Sequence, residues 1–203
     1  MADDNVSKHL NNSLFVGDSR TDGIRRFTGA SKFASFCCDV GITIDKLTED
    51  TFFINGENLG LYEAISKYKY DNIYLSIGYN ELGWKYEDTF IEKYKVLINK
   101  IKEISPESHI NIMAIFHISS DAKVNNESEN NERIDLFNNK IRNMCSETDT
   151  TYIDLNSYFI DENGFLKSES TTDGIHFTSD YYKKYLYRPV SYTHLRAHET
   201  KAN

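Results

Sequence analysis

Short apolar runs alternating with amphipathic stretches constrain this chain more than any other feature. Residues 13–16 (SLFV), 72–77 (NIYLSI), 110–116 (INIMAIF) and 151–155 (TYIDL) are β-branched or aromatic and nearly continuous. Strands covered on both faces have that character. Residues 33–38 (FASFCC) read as a fifth, weaker strand. Between the runs the period changes. Phe90, Ile91, Tyr94, Leu97, Ile98 and Ile101 recur at three- and four-residue steps, an apolar stripe on a helix over 86–104 with Glu and Lys opposite. Pro106 lies just past its end, where it no longer interrupts the helix. Ile134, Phe137, Ile141 and Met144 predict a second helix over 131–146, and shorter ones are expected over 60–68 and 179–187. Strands alternating with helices imply right-handed β-α-β units, hence a parallel sheet between two helical layers.

The chain has 203 residues, two prolines, no internal repeat and no low-complexity linker, so a single domain over residues 13–188 is expected. A formal net charge of −8 argues against nucleic acid or an anionic membrane as the main partner. No apolar run is long enough to span a bilayer. Residues 1–12 form a polar leader without the apolar segment of a signal peptide. The chain therefore reads as cytoplasmic, or as an envelope or secreted protein if further residues precede it. Residues 189–203 break the Asn/Lys/Ile/Tyr bias of the rest, and VSYTHLRAHETKAN resembles translated sequencing-adapter read-through. They are set apart from the fold as a non-native tail, with a shortened last helix and reduced stability expected. Cys37, Cys38 and Cys145 are odd in number and two are adjacent, which fits neither a disulfide framework nor a zinc site.

In parallel sheets of this kind, ligands bind beyond the carboxyl ends of the strands. In chain order, Gly17-Asp18-Ser19 follows the run at 13–16, Gly41 the weaker run at 33–38, Gly78-Tyr79-Asn80 the run at 72–77, and Asp173-Gly174-Ile175-His176 comes some way after the run at 151–155. Taken singly, each is an ordinary cap or turn. Together they have a chemical logic. A serine hydroxyl needs a base to take its proton, and a histidine does so near neutral pH. The base needs an acid group to fix its tautomer, and Asp173 stands three residues from His176. Ser19 falls where a strand passes into a helix, so its backbone N–H can face developing negative charge. The Gly41 N–H and the Asn80 amide can complete such a site.

These blocks, in this order, resemble those of the SGNH/GDSL hydrolase family over nearly the whole of residues 13–187. The resemblance implies a flavodoxin-like three-layer α/β/α sandwich with a central parallel sheet of about five strands. It implies ester hydrolysis without metal or cofactor, with Ser19 as nucleophile, His176 as base, Asp173 as its orienter, and Ser19, Gly41 and Asn80 as the oxyanion hole. Glu81 stands where the family commonly has Asp, and Gly41 is matched by position alone. The G-x-S-x-G elbow of another hydrolase class is absent, since Thr21 occupies the second glycine position. Small acyl, chiefly acetyl, esters of a carbohydrate or cell-wall glycan are the expected substrates, because no long apolar stretch suggests an acyl tunnel. An acyltransferase of the same fold and a non-catalytic flavodoxin-like binding module are the alternatives. Arg20, Tyr79, Trp84 and His117 are candidate substrate contacts. Against these stand a solvated or salt-bridged Arg20, aromatic rings packed in the core, and a structural His117.

Overall fold

The computed structural model describes residues 10–187. The distal tail and most of the leader lie outside the described residues. Five parallel strands form the central sheet in the order β2-β1-β5-β6-β7. They are β1 (Ser13–Gly17), β2 (Ala34–Cys38), β5 (Asn72–Ser76), β6 (His109–Met113) and β7 (Thr151–Ile153). Chain order is reversed at β1, which pairs with β2 on one side and β5 on the other. A crevice opens at such a switch point beyond the strand ends, and Ser19 lies two residues past β1.

Side chains alternate across the strands and divide the core in two. Leu14, Val16, Ile73, Leu75, Ile110 and Ile112 face one apolar cluster. The long helices α4 (Glu87–Ile104) and α5 (Asn131–Glu147) cover it, with Phe90, Tyr94, Leu97 and Phe137 buried. Phe15, Phe36, Tyr74, Met113 and Ile153 face the other cluster. There Phe15 stacks on Phe36 at 5.2 Å and on Tyr74 at 4.8 Å. This second layer comprises α1 (Ser19–Phe27), the single turn α6 (Asn156–Phe159), and a helix α7 over 179–187. The α/β/α sandwich follows directly.

Two local features depart from the expected pattern. The run at 110–116 leaves the ladder after Met113. The Asn138 amide bonds both the N–H and the C=O of Ile115, and the Asn156 carbonyl oxygen accepts from the N–H of His117. Side chains thereby satisfy the backbone where strand pairing stops. A β-hairpin also lies between β2 and α3 (Leu61–Tyr68), made of β3 (Thr51–Ile54) and β4 (Glu57–Gly60). Asn55 and Gly56 form its turn with φ of 50° and 92°, the backbone a tight two-residue hairpin favours. A short helix, α2 (Ile44–Glu49), precedes it.

Candidate active site

Asp18 is the N-cap of α1, its carboxylate accepting from the N–H of Arg20. That leaves the N–H of Ser19 as one of the first-turn donors without an intrahelical acceptor. Burial raises the Asp18 carboxyl above its usual value, offset in part by Arg20 nearby. Ser19 Oγ lies 2.8 Å from His176 Nε2, and His176 Nδ1 lies 2.6 Å from Asp173 Oδ2. The carboxylate can only accept, so Nδ1 carries the proton and Nε2 takes the bond that the serine hydroxyl donates.

The turn bearing Asp173 and His176 is locked by its own bonds. Asp173 Oδ1 accepts from the backbone N–H groups of Ile175 and His176 at 2.8 and 2.7 Å. Burial opposes the Asp173 charge, but the bonds from the His176 backbone and ring and from the Ile175 N–H outweigh it. They hold the carboxyl down at about 2. Thr171 ties both ends of the turn, donating from Oγ1 to the His176 carbonyl and accepting from the Gly174 N–H. Nothing in the sequence singled out Thr171. From the loop after β6, Ser119 N–H donates to the Gly174 carbonyl and Lys123 N–H to that of Asp173.

Asn80 follows β5 on the same rim, and its Nδ2 donates to the Ile42 carbonyl at 2.8 Å. The amide has a second hydrogen left for another acceptor. Ile42 is next to Gly41, which takes φ +72° and is exposed. Glu81 Oε1 accepts from the Ile44 N–H at 2.6 Å. Asn80 and Glu81 together therefore clamp the loop that presents Gly41.

Three candidate substrate contacts have partners within the protein. Arg20 is 5% exposed. It forms no ion pair among the described residues and reaches inward to the carbonyls of Phe116 and Ile175. Tyr79 gives one ring face to the Arg20 guanidinium, 4.6 Å from the ring centroid, and its hydroxyl donates to Glu129. His117 turns away from the rim, with Nδ1 at 2.6 Å from the Gly164 carbonyl and Nε2 at 2.9 Å from Asp135. It is a cross-link between α5, the end of β6 and the 161–165 turn. Trp84 remains partly exposed past Asn80, packed on the core cluster. No cluster of metal-ligating side chains occurs among the described residues.

The sequence model of the GDSL-like Lipase/Acylhydrolase family matches residues 15–184. The chain belongs to this family. Family membership makes it an ester hydrolase and accounts for the order of the blocks around Ser19. The acylhydrolase also resembles solved structures. A protein from Streptococcus pneumonia shares 19% identity over 96% of this chain and 92% of its own, with a TM-score of 0.71. A GDSL-like lipase from Bacteroides thetaiotaomicron shares 14% identity over 97% of this chain and 90% of that one, with a TM-score of 0.63. An acetylxylan esterase from Geobacillus stearothermophilus shares 15% identity over 88% and 93%, with a TM-score of 0.62. At such identities the likeness is one of fold. No curated protein sequence matches the chain significantly.

Proposed function

We propose that this acylhydrolase is a serine esterase that removes small acyl groups, acetyl first, from a carbohydrate or cell-wall glycan. The observation that carries the mechanism is the hydrogen-bonded chain from Ser19 Oγ through His176 to Asp173. Ser19 Oγ attacks the ester carbonyl carbon while His176 Nε2 takes its proton, and Asp173 stabilises the imidazolium. The N–H groups of Ser19 and Gly41 and the free Asn80 hydrogen receive the oxyanion. Collapse breaks the bond to the alcohol, which leaves with the proton from His176. Water then attacks the acyl-enzyme, giving its proton to the same nitrogen. The second collapse releases the acid and returns the proton to Ser19.

The likeness to an acetylxylan esterase supports an acetylated glycan. So do the aromatic residues that follow Asn80 in the chain, Trp84 and the 63% exposed Tyr86, whose rings can stack on a sugar face. The test is release of p-nitrophenol from acetate, butyrate and octanoate esters, with release of acetate from acetylated xylan and from O-acetylated peptidoglycan. Preference for acetate esters and turnover of one of the glycans are expected. Preference for octanoate, or inertness toward both glycans, overturns the substrate class. Acyl transfer to an added glycan in preference to water would make the enzyme a transferase.

A further inference from the structure

The geometry points to Arg20 as a positioning residue that holds the His176 turn, the end of β6 and the Asn80 loop in register around Ser19. The claim rests on the esterase reading for its kinetic consequence, but its structural part stands on the contacts. Arg20 is bonded directly to the nucleophile's residue and is itself buried. Its Nε donates to the carbonyl of Ile175, next to His176, at 3.2 Å. Its Nη1 donates to the carbonyl of Phe116, beyond β6, at 3.0 Å. Its face lies on the ring of Tyr79, next to Asn80. One planar group therefore ties the residue of the nucleophile to the neighbours of His176 and Asn80 and to the end of the run after β6.

Stability is a poor explanation for such a residue. Burying a charge is costly unless the charge is paired, and an apolar replacement of similar volume is often neutral or stabilising. Among the described residues Arg20 has no carboxylate partner within ion-pair distance, and its Nη2 is buried with no acceptor. A rigid fork that reaches in three directions at once is what the arrangement uses. Lysine, a single point charge on a flexible stem, cannot reproduce it. Displacement of a reacting group by about 1 Å costs on the order of 10²-fold in rate. Loss of the fork should therefore fall on kcat.

The test compares wild type, Arg20→Lys, Arg20→Gln and Ser19→Ala by kinetics on p-nitrophenyl acetate. It adds thermal melting and the downfield proton NMR signal of His176 Nδ1–H against Asp173. In both Arg20 variants kcat should fall on the order of 10²-fold with KM held within about threefold, while the protein stays folded. The downfield proton should shift or broaden in the Arg20 variants and persist in Ser19→Ala. A raised KM with unchanged kcat would return Arg20 to substrate binding and overturn the proposal. Wild-type kcat in a folded variant would overturn it too, and failure of both variants to fold would make Arg20 a folding residue instead. If the wild type shows no Ser19-dependent turnover, the esterase reading fails separately. The NMR signal then decides the positioning claim, and an unchanged proton in the Arg20 variants refutes it.

Discussion

Glu81→Gln should change how stability depends on pH. Glu81 is 0% exposed. One carboxyl oxygen accepts from the Ile44 N–H, and the other is buried without a partner among the described residues. Burial pushes its pKa up from the ordinary 4.5 to about 7, with the bond from Ile44 pulling down and Asp18 and Asp45 pushing up. The folded protein therefore holds a proton that the unfolded chain releases between these values. For a raised pKa the associated stability is fully present below 4.5 and is lost as pH rises through 7. The interval of 2.5 units, at about 1.36 kcal/mol per unit, corresponds to about 3 kcal/mol. Glutamine does not titrate, so the variant lacks this component at every pH. Its amide can add a constant penalty where Oε2 now sits, but a constant does not alter the slope. The assay is urea unfolding of both proteins from pH 5 to pH 9. The variant should gain on the wild type by about 2.5 kcal/mol over that range, the rest of the change lying below pH 5. Parallel curves would show that Glu81 keeps an ordinary pKa and that its burial has been misread.

Asp173→Asn should leave the fold intact and lower kcat by roughly 10⁴-fold, because the amide favours the wrong His176 tautomer. Steady-state rates beside a melting curve would show whether the loss is chemical. Asn80→Ala should lower kcat by about 10²–10³-fold through a lost oxyanion donor. If Ser19 acylation measured by stopped flow is unaffected, Asn80 serves only to hold Ile42. Gly23→Ala drives a Cβ into the ring of Tyr182 at Cζ. Forcing α1 from α7 in this way should cost about 1–3 kcal/mol in denaturant unfolding. An unchanged midpoint would mean that the two helices separate freely.

The layers of the fold were legible because strands buried on both faces must be apolar throughout, as at Leu14-Phe15-Val16 and Ile73-Tyr74-Leu75. The residues around Ser19 were legible because their chemistry fixes both their types and their places at strand ends. Arg20 was not. Arginine is rarely buried, and only the folded chain brings the carbonyls of Phe116 and Ile175 to it from 96 and 155 residues away. His117 directly follows the apolar run 110–116, but the direction of its ring depends on Asp135 and Gly164. The hairpin at 51–60 was available in principle. Phe52 and Ile54 are buried while Thr51 and Phe53 are exposed, and Asn55-Gly56 is a strong turn pair. Thr171 was out of reach, since its hydroxyl acts only on a turn whose shape the sequence does not declare.

The most direct test is to quench the enzyme during turnover of p-nitrophenyl acetate and locate the acyl group by peptide mass spectrometry. One acetyl group on Ser19, absent from Ser19→Ala together with turnover, is the predicted result. Turnover that survives in Ser19→Ala, or an acetyl group carried on another residue, would contradict the account.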